Sequence, residues 1–222
     1  MQLSVRDVAK LLQVSEETVY DWLKKGAIPG HQVNDQYKFH RAEILEWATA
    51  NNIRIAADIL DEGSARTQGI SEALRAGGII YKLKGGDKKS ALRSLVEALP
   101  LPQGTDRDFL FTVLAAREDL ASTGIGDGIA IPHVRNPIVL QVPRPIVTLC
   151  FMEKPVDFGA LDGKPVHCLF ALVSPTVRGH LQLLSRLAYT LSDKGFKAVL
   201  RKQGSTEQIF AELKRVETHL KP

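Results

Sequence analysis

Ser122-Thr123-Gly124-Ile125-Gly126-Asp127-Gly128-Ile129-Ala130-Ile131-Pro132-His133 is the stretch on which the reading of this 222-residue chain turns. Three glycines free the backbone. The short apolar run that follows can only be a buried strand. A single imidazole then stands directly after a proline at the strand's C-terminal end, where open α/β sheets place their ligand crevices. Glycines let a main chain approach a phosphate and aim N–H groups at it. A histidine held rigidly beside them can act as a nucleophile toward a phosphoryl group. Read from the residues alone, the run is a phosphate cradle around a reactive histidine. The alternative is a buried structural histidine, against which the preceding glycines stand.

The chain around this run alternates strands and helices. Ser71 reads as the cap of a short helix that stops at Gly77-Gly78, and Ile79–Leu83 as a strand. Gly85-Gly86-Asp87 turns into a helix carrying Ala91, Leu92, Leu95, Val96 and Leu99, closed by Pro100 and Pro102. Asp106 caps a helix that ends near Arg117. Strands are expected at about 129–131, 146–152 and 167–173, a long helix over Gly179–Leu191, and shorter helices near 193–201 and 205–215. The alternation predicts an α/β sandwich with a mixed sheet.

The run and its flanks resemble the IIA domains of the phosphotransferase system, of the fructose/mannitol type that includes the nitrogen-regulatory IIA proteins. The resemblance takes in Arg117-Glu118-Asp119-Leu120, the Ser122–His133 run, Asp157-Phe158-Gly159-Ala160-Leu161-Asp162-Gly163-Lys164-Pro165-Val166, Leu169–Pro175 and Gly179-His180-Leu181. It implies the IIA sandwich fold and phosphorylation of His133 by a histidine-phosphocarrier protein. The imidazole must then be neutral, with its other ring nitrogen donating to a fixed acceptor, a backbone carbonyl. Arg117, otherwise an ordinary helix-end cation, is expected to orient phosphate oxygens through its guanidinium fork. His180 stands where the family has a second active-site histidine, at the start of a helix suited to an anion. Ser122, Thr123 and Gly124 are expected to shape or line the phosphate pocket. Val134 departs from the small residue usual after the histidine, and a branched side chain there is expected to narrow access for a donor protein.

The first fifty residues follow another pattern. Ser4-Val5-Arg6-Asp7 reads as a capping box ahead of Val8, Leu11 and Leu12. Gln13-Val14 turns the chain, and Ser15 caps a second helix with Val19, Trp22 and Leu23 inward and Gly26 at its end. A hairpin around Asn34-Asp35 and a third helix from Arg41, with Ile44, Leu45, Trp47 and Ala48 apolar, complete a winged helix-turn-helix. The segment resembles excisionase/MerR-like DNA-binding domains. Its charge is unfavourable for DNA: six cations stand against seven carboxylates in residues 1–50. The cations available for phosphate contact are Lys24, Lys25, Lys38 and Arg41. So few contacts imply weak binding by a monomer and a need for a homodimer or another protein.

The expected organisation is a winged helix-turn-helix at 1–51, a linker at 52–69 in which Ile53, Ile55, Ile59 and Leu60 form a short strand or a docking helix, and a type-2 IIA domain at 70–222. No apolar run reaches the ~20 residues a bilayer span needs, and the N-terminus has no signal-peptide layout, so a cytoplasmic protein without membrane insertion is expected. Cys150 and Cys168 both sit in apolar strand-like runs and read as buried thiols. No histidine pair has metal-ligand spacing, and the glycine run lacks the Gly-Lys-Ser/Thr ending of a nucleotide loop. No metal and no cofactor are therefore expected, and the phosphoryl group should come from another protein. Neither a transmembrane IIC segment nor a IIB-like cysteine motif is present, which points to regulation of target proteins, with DNA as a further partner, over sugar transport. A DNA-binding regulator that uses the IIA domain as a phosphorylation sensor, and a purely protein-binding regulator, are the two rival readings.

Overall fold

The computed structural model describes residues 2–33, 36–51, 53, 55, 69–134 and 142–218. The N-terminal module runs β1 (Gln2–Leu3), α1 (Val5–Leu12), α2 (Glu16–Lys24), β2 (His31–Val33), β3 (Gln36–His40) and α3 (Arg41–Ala50). Its start signals are local. Ser4 and Asp7 form a reciprocal capping box, and Ser15 accepts from the Thr18 N–H at 3.1 Å. Gln13 takes the left-handed turn between the two helices (φ 54°). Strand β1, absent from the sequence-based expectation, pairs with β3 to give a three-stranded sheet in the order β1-β3-β2. The hairpin turn at Asn34-Asp35 lies outside the described residues, as do Ile59, Leu60 and most of the expected linker. Ile53 is half-buried and Ile55 buried.

The larger part carries α4 (Ile70–Gly77), β4 (Ile79–Leu83), α5 (Lys88–Ala98), α6 (Arg107–Leu120), β5 (Gly124–Gly126), β6 (Ile129–Ala130), β7 (Ile146–Val156), β8 (Val166–Val173), α7 (Val177–Leu191), α8 (Lys194–Arg201) and α9 (Thr206–Glu217). The five-stranded sheet has the order β4-β7-β8-β6-β5 and is mixed: β4 is parallel to β7, β7 antiparallel to β8, β8 parallel to β6, and β6 antiparallel to β5. The central strands are mostly apolar over Ile146–Met152 and Cys168–Val173, where both faces are covered. Val147, Leu149, Phe151, Cys168, Phe170 and Leu172 join one core with α4, α7, α8 and α9. Cys150, Met152, Leu169, Ala171 and Val173 join a second core with α5 and α6. The two cysteines sit on adjacent strands but one register position apart, so they fall on opposite faces and both are free thiols. Burial pushes the Cys150 thiol up to about 12.

Three expectations need correction. Ser71 does not cap α4. The cap position is Gly69, and Ser71 instead donates both its N–H and its hydroxyl to the Glu217 carboxylate of α9. The glycines are not a three-residue phosphate cradle. Gly124–Gly126 is an edge strand, and Asp127 (φ 53°) and Gly128 (φ 74°) form the two-residue turn to β6. An Asp-Gly pair between strands is a hairpin signal, because a tight turn of that hand needs positive φ at both residues. Val134 does not lean over the imidazole: its side chain is buried in the second core with Ala130 and Phe158.

The N-terminal module is not held apart. Helix α3 packs on α7 and on β5. Val8, Leu11, Ile44 and Leu45 belong to the same continuous apolar cluster as Val147 and Phe170 of the sheet.

Candidate active site

His133 follows β6 and extends it by a parallel bridge to Leu172, near the C-terminal end of β8. Its Nδ1 lies 2.7 Å from the carbonyl oxygen of Ile131, only two residues back. A carbonyl can only accept, so Nδ1 carries the proton and the lone pair is on Nε2. The ring is 1% exposed.

Arg117 lies in the last turn of α6 and is buried. Its Nη1 donates to the Ala121 carbonyl at 2.8 Å, which holds the guanidinium at a helix C-terminus, where a cation is favoured. His180 is the fourth residue of α7, whose N-cap Thr176 accepts from the Gly179 N–H at 3.0 Å. It is buried, and its ring centroid lies 5.3 Å from that of His133 with the planes tilted by 35°. Residues sixteen and forty-seven positions away are thus gathered about one imidazole.

Arg117, Ser122, Thr123, Gly124 and His133 line one cavity of about 350 Å³. Neither Gly126 nor Gly128 lines it. The two hydroxyls shape the loop from behind. Ser122 Oγ donates to the Phe158 carbonyl at 2.6 Å and accepts from the Gly124 N–H at 3.0 Å. Thr123 Oγ1 donates to Glu118 Oε2 at 2.5 Å, and the Thr123 N–H reaches both Glu118 oxygens at 3.1 Å. A side chain added at Gly124 would stand 2.8 Å from the Ala160 Cβ, so the loop packs tightly there.

Glu118 was quoted in the sequence resemblance but given no task. It is a buried carboxylate that accepts from Thr123 and stands 3.7 Å from Lys88 Nζ. Glu118→Ala is expected to leave the Thr123 donors unmatched in the interior, at about 1–3 kcal/mol for a buried unsatisfied group. Chemical denaturation checks this, and an unchanged midpoint would refute it. The signal available in sequence was its neighbour: a carboxylate beside a functional arginine at a helix end.

Three further lining residues, Pro29, Glu43 and Trp47, come from the N-terminal module and had no place in the sequence reading of this site. The four residues singled out for DNA lie elsewhere on that module. Lys24 and Lys25 are exposed at the end of α2, Lys38 is half-buried on β3, and Arg41 is half-buried at the start of α3.

The remaining polar clusters near the run are structural. Asp127 pairs with Lys197 at 2.8 Å, and that ammonium holds its carboxyl below the usual range. Asp162 accepts from the Asp127 N–H at 2.8 Å. Asp157 accepts from the Gly159 N–H at 2.7 Å. His167 is half-buried against Gly128, and desolvation lowers its basicity. His31 and His40 are exposed and face each other across the wing with centroids 5.9 Å apart, and His219 lies outside the described residues. Among the described residues no group of three or more His, Cys, Asp or Glu is arranged to hold a metal ion. Among them, too, no helix is long and apolar enough to cross a membrane.

Comparison with known proteins bears on the fold and the family. Residues 72–216 match the family model of the phosphoenolpyruvate-dependent sugar phosphotransferase system, EIIA 2. Residues 3–52 match a helix-turn-helix domain. The chain is similar to a nitrogen regulatory protein of Pseudomonas aeruginosa, 37% identical over 145 residues that make up 64% of this chain and 92% of that protein. A nitrogen regulatory protein of Bradyrhizobium diazoefficiens is 32% identical over 146 residues, 65% of this chain and 94% of that one. The crystal structure of nitrogen regulatory protein IIA-Ntr from Neisseria meningitidis superposes with a TM-score of 0.52 at 34% identity, covering 61% of this chain and 92% of the other. With about two thirds of its length matched from α4 to α9, and the mixed sheet in agreement, the chain belongs to the EIIA 2 family of the phosphotransferase system and carries a helix-turn-helix domain ahead of it.

Proposed function

We propose that the chain is a regulatory phosphocarrier of the nitrogen-regulatory IIA kind. It accepts a phosphoryl group on His133 Nε2 from a histidine-phosphocarrier protein and alters its partners accordingly. The observation that carries this reading is the His133 ring itself. A carbonyl at 2.7 Å fixes the proton on Nδ1, and Nε2 therefore has the lone pair that attack on phosphorus requires. In the transfer, the Nε2–P bond forms as the donor's own N–P bond breaks in line. The donor's imidazole leaves with the electron pair of that bond. Arg117 supplies positive charge to the equatorial oxygens, and His180, whose ring lies beside that of His133, supplies a further donor. The positioning comes from α6, α7 and the sheet, which are rigid elements. The names of the similar proteins support nitrogen-linked regulation as the setting.

The test is incubation of the full chain with phosphoenolpyruvate, the general enzyme of the system and its phosphocarrier protein. The expected product is a phosphate mass increment that is acid-labile and base-stable. Its absence would overturn the reading.

A second output, DNA binding by the N-terminal module, is favoured by the helix-turn-helix match and by exposed Lys24 and Lys25 at the end of α2. Four contacts, adding Lys38 and Arg41, imply a log–log salt slope of about −3.6. A salt titration on the full chain measures it. A slope steeper than about −6 would show a basic surface larger than these four residues, and no binding at low salt would leave a protein-binding regulator.

A further inference from the structure

The N-terminal module is built into the surface that holds His133. Helix α3 packs on α7, which carries His180, and on β5, which opens the Ser122–His133 hairpin. Pro29, Glu43 and Trp47 line the same cavity as Arg117 and His133. His133 is 1% exposed, and the cavity of about 350 Å³ has the size of a small-molecule site, far below that of a protein. A donor protein has to bring its own phosphohistidine into contact with Nε2, because in-line transfer needs the reacting atoms about 3–3.5 Å apart. The module therefore stands where the donor must dock.

The charges in the cavity couple this contact to phosphorylation. A phosphoryl group brings about −1.5 to −2 charges. Glu43 lines the same space, with its Oε2 3.8 Å from His31 Nε2, and like charges repel more strongly in a part-buried, lower-dielectric site than in water. Arg117 lines the same cavity and supplies the cation that would hold the phosphoryl group there.

We propose that the helix-turn-helix module is an intramolecular lid on the phosphorylation site. It competes with the phosphoryl donor for the face around His133, and phosphorylation sets a near-dianion against Glu43 and drives the module off. The lid rests on the reading of His133 as the phosphoryl acceptor. Its effect is to expose α3 and the turn at Pro29 only in the phosphorylated state, which gives the module a partner-binding surface under phosphoryl control.

The chain carries its own reporter. Its two tryptophans, Trp22 and Trp47, both lie in the module, and Trp47 is half-buried at the cavity with its Nε1–H donating to the Ala27 carbonyl at 2.6 Å. In a full-length Trp22→Phe chain, phosphorylation verified by mass should shift the Trp47 emission to the red as water reaches the indole. Adding Glu43→Gln should suppress that shift at equal phosphorylation. Because Trp22 packs edge-on against Trp47, the unsubstituted chain gives a second measurement: amide exchange over α3 should quicken on phosphorylation. Complete phosphorylation with unchanged emission and unchanged exchange would overturn the lid. A full shift retained in Glu43→Gln would overturn the charge coupling on which it depends. No mass increment at all would overturn the acceptor reading, and the lid with it.

Discussion

His133→Ala is expected to abolish acceptance of a phosphoryl group, with the labelled product falling below detection. Among the described residues that line the cavity, His133 is the only histidine, and a fixed proton on Nδ1 leaves the lone pair on its Nε2. His180, whose ring centroid lies 5.3 Å from that of His133, is assigned the donor role and should not take its place as acceptor. Arg117→Ala and His180→Ala are graded controls. A charge-assisted hydrogen bond contributes roughly 1.5–3 kcal/mol, so each should slow transfer by about ten- to a hundredfold while the domain stays folded. Arg117→Lys should recover only part of the loss, since an ammonium keeps the charge and loses the fork. Retained labelling of His133→Ala would sink the site assignment, and normal rates in both other variants would make those residues structural.

Gly77→Ala is expected to destabilise the fold by about 3 kcal/mol or more, the upper end for overpacking a core. A Cβ at this last residue of α4 would stand 2.2 Å from the Val147 carbonyl oxygen and 2.5 Å from its carbon. Both are backbone atoms of β7, which is fixed between β4 and β8 and cannot yield as a flexible side chain would. Thr148 Oγ1 also donates to the Gly77 carbonyl at 3.0 Å, so moving the helix away would break a buried hydrogen bond. Gly86→Ala is the control: a Cβ there meets nothing within 4 Å, and the change should stay within about 0.5 kcal/mol. Urea unfolding of the two variants decides, and equal midpoints would show that α4 can slide on the sheet.

Most of the fold could be read along the chain because its signals are local. Ser4 with Asp7, Ser15, Asp87, Asp106 and Ser205 each satisfy N–H groups within three residues, and a cap needs nothing from the rest of the molecule. The apolar runs at 146–152 and 167–173 identified strands buried on both faces without saying which neighbours they would have. Errors arose where a local signal had a distant competitor. Ser71 looked like a cap, yet the carboxylate of Glu217, 146 residues away, takes its N–H and hydroxyl. The glycines looked like a phosphate cradle, yet Asp127-Gly128 spends its left-handed backbone on a hairpin turn. Val134 looked like an obstruction beside the imidazole, but the pleat turns alternate residues to opposite faces and sends it into the core under α5 and α6.

What the sequence determined by itself is the motif, the two kinds of module and most of the order of elements, all of which depend on residue type and short spacing. Tertiary structure alone decided that the ring of His180 stands 5.3 Å from that of His133, that Glu118 holds Thr123 in the loop before it, and that Glu43 and Trp47 of α3 line the same cavity as Arg117 and His133. Those facts depend on how helices and strands far apart in the chain bury their apolar faces against one another. That packing is a property of the assembled core, and no window of sequence around any one residue contains it.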